Sequence, residues 1–175
     1  MGNPMNPVVV FSTFRSEAEP TMRSWARFRN QIKSAHPLDE DGYSDATLGK
    51  VHAVQSRQTG TFWRLMAPNH RELARSYFLY SSLTTARNHV LKLIEQVDQI
   101  SVLTLRGEEV RTHGWYATID GEPVMTCGRW YEGSAASISA AAGSLRSLAV
   151  AVVSETGRPT DPRRLLSASV TLADA

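Results

Sequence analysis

At 175 residues, with 42% hydrophobic and 21% charged side chains, the chain is long enough to bury a core and too apolar for a disordered or fibrous protein. A formal charge of +2 does not mark a nucleic-acid binder by itself, although the arginine bias among the 19 basic residues leaves room for an anionic partner. Cys127 is the only cysteine, which excludes an intramolecular disulfide and a cysteine-rich metal site, and no apolar run approaches a membrane span or a signal peptide, so a reducing, cytoplasmic setting is expected.

Met1 to Pro7, with two prolines, a glycine and two asparagines, reads as a leader. Val8-Val9-Val10-Phe11 follows as a short β-branched strand. Thr21 stands at an N-cap position behind Pro20, and Met22, Trp25, Phe28 or Arg29, and Ile32 recur at helical spacing, which predicts a helix from about Thr21 to Ser34. Its charged residues are Arg23, Arg27, Arg29 and Lys33 with no carboxylate among them, so a uniformly basic outer face is expected. These four residues are the candidate partner-binding site.

His36-Pro37 ends that helix, and the acidic stretch DEDGYSD reads as a solvated loop because it lacks the ligand spacing and terminal Glu of a calcium loop. From Val51 the pattern turns to period two. Val51 to Val54, Phe62 to Met66 and Leu73 to Leu79 predict three antiparallel strands, followed by a helix capped by Thr84 or Thr85 with Ala86, Val90, Leu93, Ile94 and Val97 on its apolar face. The order then repeats. Ile100 to Leu105, a strand opened by Trp115, an Asp120-Gly121 hairpin turn and Val124 to Trp130 form a second meander. A helix carrying Ile138, Ala141, Leu145, Leu148 and Val152 follows and ends at Gly157. Residues 158–175 read as a tail.

Trp63 and Trp115, Glu72 and Glu122, and Tyr80 and Tyr131 share nearly one offset, which argues for duplication. The expected fold is α+β: two tandem units of a three-stranded antiparallel meander plus helix (50–99 and 100–157), packed as a pseudo-twofold pair, with an added N-terminal strand, basic helix and acidic loop (1–49). The run WRLMAPNHRELARSYFLYSSLTTARNHVLKLI resembles the unit of the YegP-like family of bacterial and archaeal domains of unknown function. The first copy keeps Leu73-Ala74-Arg75-Ser76 and Tyr80-Ser81-Ser82 but has His70 where the turn glycine belongs. The second keeps Gly121 and Tyr131 and carries Met125-Thr126-Cys127 in place of Ala-x-Ser. The resemblance covers roughly residues 50–150 and implies a compact two-unit body, with no activity and no catalytic residues.

No catalytic, metal or cofactor motif stands out. His36, His52, His70, His89 and His113 are scattered and read as surface or turn residues, Cys127 lacks a His-Asn context, and Glu108-Glu109 reads as a solvated turn. Trp63, Tyr77, Phe78, Tyr80, Trp115, Tyr116, Trp130 and Tyr131 read as core before they read as base-stacking platforms beside Arg64, Arg75 and Arg129. The expected function is a non-enzymatic interaction module without cofactor, metal or small-molecule substrate, binding a protein partner or itself. Nucleic-acid binding through the basic helix and sheet aromatics, and a structural or assembly role, are the alternatives. A membrane partner is not expected.

Overall fold

The computed structural model describes residues 6–14, 19–35 and 60–159. In chain order they form β1 (Val8–Phe14), α1 (Pro20–Ala35), β2 (Gly60–Met66), β3 (Glu72–Ser76), α2 (Leu83–Glu95), β4 (Ser101–Arg106), β5 (His113–Ile119), β6 (Glu122–Cys127), α3 (Ser134–Ala149) and β7 (Val152–Pro159), with one 3₁₀ turn at Val97–Gln99. The architecture is α+β, with a seven-stranded sheet in the order β4-β5-β6-β3-β2-β1-β7. It is mixed because β7 joins β1 in parallel, whereas the other described pairs are antiparallel.

Successive strand residues point to opposite faces, and β2 uses both. Trp63 and Leu65 belong to the main core with Val90 and Leu93 of α2 and Ala141 and Leu148 of α3. Phe62 turns the other way, into a smaller cluster with Phe14, Leu79 and the α1 residues Met22 and Trp25. Thus α1 packs on the sheet face opposite α2 and α3. Trp25 anchors it there by donating its indole N–H to the Ser76 carbonyl at 2.9 Å.

Several sequence expectations are corrected. The segment Val51–Val54 lies outside the described residues, and β1 occupies the edge of β2 assigned to it, in register from Val8↔Met66 to Phe14↔Gly60. The N-terminal strand is therefore integral to the sheet and is not an addition to a meander. Pro20 is the first residue of α1, where a missing N–H costs nothing, so Thr21 lies inside the helix. The helix expected to run to Gly157 stops at Ala149: Val152 and Val153 prefer extended backbone and find β1 as a partner. The boundary placed at 157/158 consequently cuts β7, and residues 160–175 lie outside the described part. The Asp120-Gly121 turn has the expected positive φ at both positions, 52° and 84°.

The cap of α2 is Ser82, not Thr84 or Thr85; its hydroxyl accepts from the Thr85 N–H at 3.1 Å. The corresponding residue before α3 is Gly133, with φ 144° and ψ 154° and no side-chain cap. Only glycine occupies that backbone region without strain, so the two helix starts are not interchangeable. Ser82→Ala should cost about 1 kcal/mol. Gly133→Ser, although it supplies a capping hydroxyl, should cost about 1–3 kcal/mol through backbone strain. Chemical denaturation of both variants checks the pair, and a stabilised Gly133→Ser would contradict the backbone argument.

Candidate interaction surface

The helix α1 carries all four basic candidates, but the structure gives them different surroundings. Arg23, Arg27 and Lys33 are exposed, whereas Arg29 is half-buried. Its guanidinium carbon lies 5.1 Å from the centre of the Trp25 ring and 5.0 Å from that of Tyr77. Arg29 is therefore a packing residue, holding the helix on the sheet by cation–π contact. Arg27 is paired with Glu108 across 2.7 Å, an exposed contact in which the carboxylate holds the guanidinium protonated and the Arg27 and Gln31 hydrogen bonds hold the Glu108 carboxyl below its ordinary range. The uniformly basic face is corrected accordingly. Glu108, read as merely solvated, reaches over from the β4–β5 connection to neutralise its centre. Arg23 and Lys33 remain as exposed charges without an ion-pair partner among the described residues.

Between α1 and the sheet lies a cleft of ≈ 370 Å³, edged by Arg23, Arg27, Glu108, Arg129 and Trp130. One wall is the Phe28–Trp130 ring pair, with centroids 4.7 Å apart. Gly114 of β5 makes that contact possible, because a Cβ there would stand 2.8 Å from the Phe28 ring and 2.9 Å from Trp130. On the strands beneath, Glu72 bonds Arg75 at 2.5 Å and stands 3.8 Å from Arg64, so the sheet arginines are partly neutralised from within. Arg129 is exposed and lies over the Tyr131 ring at 5.0 Å.

Most of the aromatic residues are inside. Trp63, Tyr77, Phe78, Tyr80, Trp115 and Tyr116 are buried, leaving Trp130 and Tyr131 half-exposed. Cys127 is buried as well; burial pushes its thiol up to about 11, so at neutral pH it is protonated, and it accepts from the Trp115 N–H at 3.3 Å.

His89 was missed as a core residue. Its spacing from Ala86 and Leu93 puts it on the apolar face of α2, which the sequence pattern did contain. The Trp63 indole donates to the Tyr80 hydroxyl at 3.2 Å, and that hydroxyl is bonded to Nδ1 of His89. His36 and His52 lie outside the described residues. Among the described residues no three His, Cys, Asp or Glu side chains gather as metal ligands, and no helix is long and apolar enough to cross a membrane.

No protein-family model matches the chain, and no curated protein matches it. Among solved structures, it is similar to the NMR structure of YegP from E. coli, a protein of unknown function bearing the name of the family that the sequence resembles. The match has 14% identity and a TM-score of 0.42, and it covers 58% of this chain and 85% of that one. A likeness that loose carries no inference about the site.

Proposed function

We propose that the chain is a cytoplasmic, non-enzymatic interaction module that binds an acidic protein segment along the outer face of α1. The observation that carries this reading is the pairing of exposed Arg23 and Lys33, which have no ion-pair partner among the described residues, with a part-aromatic cleft that Arg23 edges. Ten helical residues separate the two charges by about 15 Å along the axis, the span of a short extended peptide. Carboxylates on such a segment meet the two cations, and an apolar side chain enters beside Trp130. Burial of most sheet aromatics favours a protein over a single-stranded nucleic acid, which needs exposed stacking platforms. The cytoplasmic placement draws on the single, free cysteine.

We also read the scaffold as two tandem units, β1-β2-β3-α2 and β4-β5-β6-α3, related by a pseudo-twofold axis. The support lies in the register between β3 and β6. An offset of 51 residues takes Ala74 to Met125 and Ser76 to Cys127, and these residues pair crosswise, Ala74↔Cys127 and Ser76↔Met125, about a central Arg75↔Thr126. The Trp63 N–H meets Ser76 Oγ as the Trp115 N–H meets Cys127 Sγ, and Thr61↔Tyr80 bridges as His113↔Tyr131 does. In this reading α1 is an insertion in the first unit and β7 an extension of the second.

The test is fluorescence anisotropy with a labelled oligoglutamate peptide and a labelled oligodeoxythymidine over a salt series. Wild type should bind the peptide, more weakly as salt rises. Arg23→Glu with Lys33→Glu should abolish binding while moving stability by no more than about 0.5 kcal/mol. Tighter binding of the oligonucleotide would transfer the site to nucleic acid. Binding of neither, with self-association in sedimentation velocity, would favour an assembly role.

A further inference from the structure

A second groove lies away from α1, where β1, β2 and β7 meet the β2–β3 turn. Its volume is ≈ 770 Å³, within the size range of small-ligand sites. Val8, Val10 and Met66 supply an apolar floor, while Arg64, His70 and Arg158 stand around it, and among the described residues no carboxylate lines it. Arg64 is held in place: one guanidinium nitrogen donates to Ser12 Oγ at 3.1 Å, and the guanidinium lies 5.8 Å from the Phe62 ring centre. Its Nε is buried without a hydrogen-bond partner. Glu72 sets one carboxylate oxygen 3.8 Å from Arg64 and the other 2.5 Å from Arg75, so it divides its charge between the two and neutralises Arg64 only in part. Arg158 is exposed.

His70 has the left-handed φ of 62° at the turn, while the turn of the second hairpin has Gly121 with φ 84°. A glycine at His70 would relieve that conformation and would remove a ring from the groove.

We infer that the groove between β1, β2, β7 and the β2–β3 turn binds an organic anion with an extended apolar body, of the acyl-carboxylate class. The body lies along Val8, Val10 and Met66, and the carboxylate is met by Arg64 and Arg158, with His70 closing the turn side. Arginine suits this task because its planar fork matches a carboxylate bidentately. The apolar floor separates this site from one for inorganic phosphate, and the cations separate it from one for a neutral lipid.

The experiment is a titration of the full chain with decanoate, decanol and inorganic phosphate, followed by calorimetry and by ¹H–¹⁵N shifts. Saturable decanoate binding is expected, with the largest shifts in β1, the β2–β3 turn and β7, and with decanol and phosphate each about tenfold weaker or more. Arg158→Ala, at an exposed position, should weaken decanoate severalfold without change in melting temperature. His70→Gly should weaken decanoate while raising the melting temperature, an opposition that a purely structural role would not produce. Arg23→Glu with Lys33→Glu should leave decanoate binding unchanged, which separates this site from the α1 surface. Absence of saturable decanoate binding, equal binding of decanol, or shifts centred on α1 would overturn the proposal.

Discussion

Acidification from pH 7 to pH 4 is expected to remove about 3 kcal/mol of stability through His89 alone. Burial, with a smaller contribution from Lys92, lowers this imidazole from 6.5 to about 4 in the folded protein. The unfolded chain therefore takes up the proton first. The contribution is complete above about pH 6.5 and is lost as pH falls towards the folded value, the direction required when folding depresses a pKa. The hydrogen-bond chain explains why the cost is high. Trp63 donates to the Tyr80 oxygen, that hydroxyl bonds Nδ1 of His89, and Nε2 is buried without a partner. The imidazolium would carry an N–H on both nitrogens, so a charge and an unpaired donor on Nε2 would be buried together. Denaturant melts at pH 7, 5.5 and 4 should show this slope in wild type and a flatter one in His89→Leu. That variant should lose about 1–3 kcal/mol at pH 7, because the buried Tyr80 hydroxyl loses its His89 partner. Equal slopes in the two proteins would remove His89 from the account.

Trp25→Ala should cost about 3–5 kcal/mol, felt chiefly in α1. The indole is buried, holds the Ser76 carbonyl, and supports Arg29, so its removal opens a cavity and leaves a carbonyl unpaired at once. Trp25 belongs to the smaller cluster and not to the main core of Trp63, Leu65, Val90 and Leu148, to which α1 contributes only Ile32 among its buried residues. Hydrogen exchange should therefore show α1 amides losing protection while α2 and α3 keep theirs. Gly114→Val should give the same pattern from the other end of the helix, because its side chain would enter the space of Phe28 and Trp130. Uniform loss of protection in both variants would mean that α1 and the body unfold as one unit.

Local chemistry was legible where a residue type answers to a local demand. Asp120-Gly121 announces positive φ, the spacing of Ala86, Val90 and Leu93 announces a buried helical face, and Trp63 and Trp115 announce strands with a buried face. What the pattern does not carry is the identity of a distant neighbour. Nothing in Val8-Val9-Val10 names β2 or β7 as its partner, and Val51–Val54 has the same alternation as a strand that would pair with β2. The extension of the last helix to Gly157 failed for a related reason: Val152 continues the helical spacing, and only the vacant edge of β1 decides for a strand. The candidate site was half legible. Composition located Arg23, Arg27, Arg29 and Lys33 on one helix, but the aromatic cradle of Arg29 and the reach of Glu108 to Arg27 arise from contacts across long stretches of chain.

The position of β1 has a kinetic consequence. The first described strand is an interior one, clasped between β2 and the last described strand, with Val8 opposite both Met66 and Val152. Hairpin β5–β6 closes over the two residues Asp120 and Gly121, whereas the β1–β7 ladder waits for a loop that includes nearly every other element. Loop-closure entropy grows with that separation, and long-range ladders form slowly. During synthesis β1 leaves the ribosome before the other described strands and is the last of them to gain both its partners. Until β7 arrives, its outer row of N–H and C=O groups is an open template for the same strand of another copy.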